Sequence, residues 1–98
     1  MKLKWKQCEN LLKRMAESMG LVLVAGPGDL IIDAHWYIVQ RLRGYENKLT
    51  ATYFSPADLL EEMLNYYQAF NLCGRVVDNP FFGMSPEEAE LRLAVMGV

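Results

Sequence analysis

Thiols and imidazoles are scarce in this chain of 98 residues, which has two cysteines and a single histidine. Cys8 and Cys73 lie far apart and form no CxxC pair, so neither a disulfide framework nor a thiolate metal site organises the fold. Both are expected to be free and buried. With one histidine, an ordinary zinc site lacks its second imidazole. Long apolar runs are missing as well: nothing approaches the roughly eighteen residues of a membrane span. The basic opening MKLKWKQCENLL never becomes the apolar core of a signal peptide, and the expectation is a cytoplasmic protein without a membrane partner. Internal repeats, low-complexity runs and linkers are likewise missing. The chain therefore reads as one globular domain, residues 1–98, large enough to bury roughly 60–70% of its unfolded surface.

Charge is unevenly placed. Residues 1–53 hold eight Lys or Arg against five Asp or Glu, whereas residues 54–98 hold two against seven, so a half of +3 faces a half of −5. Such asymmetry either complements a partner or lets the halves of one domain attract each other.

In LKWKQCENLLKRMAESMG, apolar residues recur at Trp5, Cys8, Leu12, Met15 and Met19, with Leu11 widening the stripe, and Gly20 closes this amphipathic helix. LVLVA, the turn GPGD and LIID then read as strand, turn and strand. Gly26 and Gly28 match the phosphate-cradling turn that follows the first strand of dinucleotide folds. Pro27 between them and Ile31 at the third small position depart from it, so a hairpin turn is expected instead.

From Asp33 to Leu42 the period is two. Ala34, Trp36, Ile38 and Leu42 share one face, with Gln40 the exception; Asp33, His35, Tyr37, Arg41 and Arg43 share the other, with Val39 among them. A helix over Leu30–Arg43 also fits the apolar spacing, but the aromatic and β-branched content favours a strand. GYEN is then read as a loop and KLTATYF as the return strand. The serines of SPADLLEEMLNYYQAFNLCG and SPEEAELRLAVMG precede proline and stand three residues before an acid. They start capped helices rather than mark phosphorylation sites, and Gly74 ends the first of them. RVVDNPFFGM between these helices reads as a loop. The expected fold is α+β in the order α-β-β-β-α-α, an antiparallel sheet of three or four strands packed by an N-terminal helix and two C-terminal helices.

No catalytic constellation stands out. Asp33 and His35 on one strand face are the nearest to one, as a carboxylate orienting an imidazole, but no nucleophile is placed beside them. Tyr37, Arg41, Arg43, Tyr45 and Lys48 instead gather arginine forks and tyrosine rings at one end of a hairpin, with the Thr50 and Thr52 hydroxyls among them, a mixture suited to protein or phosphate recognition. Tyr66, Phe81 and Phe82 are further candidate contact residues, and YYQAFN and NPFFGM are candidate surfaces for a homodimer. The sequence thus points to a small interaction or regulatory protein binding a protein partner without metal or other cofactor, of the kind carried by mobile elements, phages or bacterial accessory operons. A nucleic-acid-binding module using the basic-aromatic hairpin is the alternative, disfavoured by the acidic second half. A small-ligand binder or enzyme using Asp33 and His35 stands third.

Overall fold

The computed structural model describes residues 3–26 and 34–97. Helix α1 (Trp5–Ser18) turns Cys8, Leu11, Leu12, Met15 and Ala16 inward, the helical spacing expected of its stripe. The Lys4 amide donates to Gln7 Oε1 at 2.8 Å to close its start, and Gly20, at a φ of +73°, lets the chain leave the helix. Three antiparallel strands follow, β1 (Val22–Gly26), β2 (His35–Leu42) and β3 (Tyr45–Lys48), in the spatial order β1-β2-β3. Next come helix α2 (Pro56–Asn65), a separate hairpin of β4 (Ala69–Leu72) and β5 (Arg75–Asp78), and helix α3 (Pro86–Met96). The α+β class and its succession of helix, antiparallel sheet and two later helices are as the sequence implies, with one more hairpin inserted before the last helix. The GPGD turn, LIID and Asp33 lie outside the described residues, apart from Gly26 at the end of β1.

Strand β2 confirms the period of two and excludes the helical alternative over its span. Trp36 and Ile38 face the helices and are buried. The Trp36 indole donates to Glu9 Oε1 at 2.8 Å, and its ring meets Trp5 edge-on at 4.8 Å between centroids. Trp5 itself stays 48% exposed, so it covers the core's edge rather than filling its interior. Val39 is buried on the opposite face, opposite Val22 on one side and Lys48 on the other. Leu42, expected inward, is exposed because it sits at the hairpin's end, next to the turn.

Four elements depart from the sequence reading. The β2–β3 turn is Arg43–Gly44, not GYEN: Gly44 takes a φ of +82°, and Leu42 pairs directly with Tyr45. The return strand is broken after Lys48, since residues 49–52 are accommodated opposite only Tyr37 and Ile38 before Tyr53 pairs with Trp36. This is a bulge, and the buried Thr50 hydroxyl mends it, accepting from the Ile38 amide at 3.0 Å and donating to Ala51 O at 2.9 Å. Helix α2 stops at Asn65 rather than running to Gly74, and Gly74 instead ends the two-residue turn between β4 and β5. RVVD, read as loop, is β5.

The two serine caps also differ. Ser85 forms the full box, accepting from the Glu88 amide at 3.2 Å while its own amide donates to the Glu88 carboxylate at 3.1 Å. Ser55 makes no side-chain cap bond; Asp58 stands where the box has Glu or Gln.

One core cluster unites α1, β2, α2, Phe70, Phe81 and the inner side of α3. Asn79 joins the late elements of this cluster. Its side-chain amide donates to Met63 O and Tyr67 O, both at 2.8 Å, and its oxygen accepts from the Phe81 amide at 2.9 Å. Its backbone amide donates to Gln68 O at 2.9 Å. The turn that follows is tied back to α2 by the Gly83 amide on Leu64 O at 2.7 Å, and Phe81 drops completely into the core. Tyr67, expected on the α2 stripe, lies beyond the helix, where its ring stacks on Phe70 and its hydroxyl accepts from the Ala51 amide. The Tyr53 phenol beside it is pushed well above its usual pKa, chiefly by burial and then by its hydrogen bond with Tyr67.

Two outcomes follow for unfolding by denaturant. Trp36→Ala should lose about 3–5 kcal/mol, because it removes a buried ring and strands the Glu9 contact, whereas His35→Ala should lose less than about 1 kcal/mol. Similar losses from both would place His35 in the core. Asn79→Ala should lose about 2–4 kcal/mol, since two carbonyls and one amide are left unpaired in a buried setting. A change below about 1 kcal/mol would show that water replaces the side chain at no cost.

Candidate functional site

The basic-aromatic face of the sheet is the first surface to consider. Alternation and register put His35, Tyr37 and Arg41 of β2 with Glu46 and Lys48 of β3 on the side away from the helices. His35 stacks on Tyr37, nearly parallel at 5.9 Å, and its imidazole lies over Gly26, where a methyl group would run into the ring. Lys48 Nζ sits 5.0 Å from the Tyr37 centroid and donates to Thr52 Oγ1 at 2.6 Å. Arg41 Nε meets Glu46 Oε1 at 2.7 Å across the ladder. Two of the three cations expected to meet a partner thus already hold partners within the chain. Arg43 stands exposed in the turn. Thr50 is absent from this face because the bulge has turned its hydroxyl inward.

Tyr45 belongs to a different place. At the end of β3 it points toward the second hairpin, where its hydroxyl shares a hydrogen bond with Cys73 Sγ at 3.3 Å. That bond, together with the nearby thiol's charge, holds the Tyr45 phenol above its ordinary pKa. Cys73 also donates to Gln40 Oε1 at 3.5 Å, and Asn47 Nδ2 donates to Asn71 O at 3.3 Å, so the two hairpins lean tip against tip. Cys73 is exposed, contrary to the expectation of two buried thiols; Cys8 is buried, and burial raises its pKa. At a φ of +54°, Cys73 occupies the left-handed region beside Gly74 at +82°, the backbone of a turn that favours Asn or Gly in its first position.

Among the aromatic candidates near α2, Tyr66 is exposed at the helix end and Phe82 is partly exposed in the following turn. Phe81 is fully buried and presents nothing to a partner, because Asn79 turns the chain so that alternate rings point in and out. YYQAFN and NPFFGM each contribute as much to the core as to the surface for the same reason: Phe70 and Phe81 are interior.

A feature not anticipated in the sequence lies on α3. Its inner side buries Ala89 and Leu93, yet its outer side displays Leu91, 68% exposed, and Val95, 86% exposed, one turn apart. Two open clefts meet at the base of this helix, of about 280 and 500 Å³, and both are lined by Leu3 and Pro86. Leu60 and Leu64 of α2 and Met84 contribute to the smaller one, Leu91 to the larger. Glu61, Glu87 and Glu90 stand around them, with Glu90 bonded to Arg14 at 2.6 Å. The legible signal was the apolar pair Leu91 and Val95, spaced by four, standing opposite Ala89 and Leu93 in SPEEAELRLAVMG.

Among the described residues no group of His, Cys, Asp and Glu is arranged to hold a metal ion, and no helix is long and apolar enough to cross a membrane. No protein-family model, curated protein or solved structure matches this chain.

The Cys73 geometry generates its own test. Cys73→Asn should raise stability by about 1 kcal/mol, because asparagine tolerates the left-handed backbone better than a thiol side chain and the lost sulfur contacts are exposed. Thermal unfolding that shows a loss instead would mean the contacts with Tyr45 and Gln40 outweigh the backbone cost.

Proposed function

We propose that this chain is a small interaction protein that works by surface binding to a protein partner, with α3 and the clefts at its base as the binding face. The observation that carries this reading is the second apolar stripe of α3. A helix serving only its own fold shows solvent a polar face, and substituting Leu91 and Val95 by polar residues has little to disturb inside the domain. Two large aliphatic side chains left in water one helical turn apart, beside apolar clefts, suit insertion into a partner or reception of its anchors.

Tyr66 and Phe82 flank the same region, next in the chain to Asn65 and two before Met84, both of which line the smaller cleft. The hairpin residues Tyr37, Arg41, Arg43 and Lys48 form a secondary candidate, weakened by the Arg41–Glu46 and Lys48–Tyr37 contacts.

The experiment compares wild type with Leu91→Gln/Val95→Gln and Arg41→Glu/Arg43→Glu, measuring melting temperature and the amount of a captured, mass-identified partner. All three should melt within a few degrees of one another, since every altered side chain is exposed. The α3 variant should lose capture by tens of fold, the scale of removing anchors worth about 2 kcal/mol or more, while the hairpin variant keeps it. Retained capture by the α3 variant and loss by the hairpin variant would move the binding face to the sheet. Salt-sensitive binding of single-stranded DNA or RNA lost in that same variant would replace a protein partner with nucleic acid.

A further inference from the structure

We infer that the open edge of β1 pairs with β1 of a second copy of this chain, antiparallel about a two-fold axis at Val24, to make one continuous sheet across the dimer. This does not rest on α3 being a binding face. In β2 the backbone groups of Trp36 and Ile38 face β3, since Trp36 exchanges both bonds with Tyr53 while Ile38 donates to Thr50 Oγ1 and accepts from the Leu49 amide. His35, Tyr37 and Val39 therefore face β1, where they pair with Gly26, Val24 and Val22. The residues between, Leu23 and Ala25, turn their amides and carbonyls outward, and among the described residues nothing bonds to them. Folded proteins usually guard such an edge. The opposite edge of the same sheet is guarded: β3 carries Glu46 and Lys48, gives way to a bulge after Lys48, and is leaned on by the second hairpin through Asn47 and Asn71. The β1 edge has none of these devices. Its residues, VLVAG, hold no charge and no proline, pair with β2 without a bulge, and leave Ala25 exposed.

The strand is its own complement, which is why the occupant is a second copy. A two-fold axis at Val24 sets Leu23 against Ala25 of the second copy, and the two exchange both bonds; repeated by symmetry, every outward group of both residues is used. On each face a larger side chain then meets a smaller one, Leu23 beside Ala25 on the helix side and Val22 beside Gly26 on the other. The His35 ring lies over Gly26, so Val22 of the second copy packs beside an aromatic face rather than into a gap. Val24 meets its own copy in the close, non-bonded pair at the axis. The neighbouring registers leave groups unmet. Centring on Leu23 sets Ala25 against Leu21, whose amide already donates to Ala16 O at 2.8 Å, so the Ala25 carbonyl gains no donor. Centring on Ala25 sets Leu23 against Pro27, which has no amide to give.

The test uses the intact chain. Light scattering at about 100 μM should give twice the monomer mass, falling toward 11.2 kDa on dilution as a small interface requires. Val24→Lys sets two ammonium groups together at the axis and should raise the dimer dissociation constant by about tenfold or more, with circular dichroism and melting checking its fold. Cross-linking reads the register without that variant. In a Cys73→Asn background, which removes the exposed thiol, Val24→Cys should be oxidised by diamide to a covalent dimer, because the Cα atoms of a non-bonded antiparallel pair lie about 4.5 Å apart, within disulfide reach. Val22→Cys in the same background lies four residues along the ladder from its own copy, about 13 Å, and should stay monomeric on a denaturing gel. A monomer at about 100 μM would overturn the pairing and leave the edge to an extended segment of another protein. A dimer untouched by Val24→Lys would overturn it too, and loss of that dimer in Leu91→Gln/Val95→Gln would place the interface on α3. Failure of Val24→Cys to cross-link, or an equal yield from Val22→Cys, would overturn the axis at Val24.

Discussion

The side-chain amide of Asn79 is the constraint on which the later half of the molecule depends. The end of any helix leaves carbonyls without intrahelical donors, and in α2 the carbonyls of Met63 and, just beyond, Tyr67 point into the domain interior. Both are taken by one NH2 group delivered from fourteen residues past the last helical residue. That delivery requires the intervening chain to fold back on itself, which the β4–β5 hairpin does. The same residue's oxygen then fixes the Phe81 amide, and the direction of the next turn follows. Phe70 and Phe81 reach the core only because this closure holds, and α3 begins where the turn releases the chain.

The first half of the fold was legible because its signals agree with one another. In α1, spacing and terminal glycine both say helix; in β2, period and β-branched content both say strand, and Trp36 and Ile38 are buried as that period requires. The second half misleads because Tyr67 and Phe70 continue the helical stripe of Leu60, Met63 and Leu64, so local periodicity extends α2 across a hairpin. What overrides it is long-range: an amide from Asn79 for the helix end, and a turn at Cys73–Gly74 whose glycine looks the same whether it stops a helix or reverses a strand. The valines of RVVD were the local clue to β5. Similarly, a strand read over KLTATYF fails where Thr50 substitutes its hydroxyl for a backbone partner, a choice that composition does not reveal.

The candidate surfaces divide in the same way. Alternation correctly gathered Tyr37, Arg41 and Lys48 on one face, but pairing across the ladder decides how much charge remains for a partner, and only coordinates show Glu46 opposite Arg41. Phe81 and Phe82 are adjacent in the sequence and opposite in fate, since one buried amide bond sets which ring points inward. On α3 the outward stripe was visible in principle. The capping serine and acids account for where this helix starts and say nothing of which side its aliphatic residues take.

The packing of α1 against α3 carries a consequence for the order of events in folding. These are the first and last regular elements described, yet they touch directly, with Arg14 and Glu90 joined across 76 positions of chain. The β2–β3 and β4–β5 hairpins are local and can form quickly, on the microsecond scale of a short loop closure. The core around Leu11, Leu12 and Leu93 cannot close until α3 has left the ribosome. During synthesis the apolar face of α1 therefore waits, covered only by the sheet and α2, and the nascent chain passes through a state with exposed leucines.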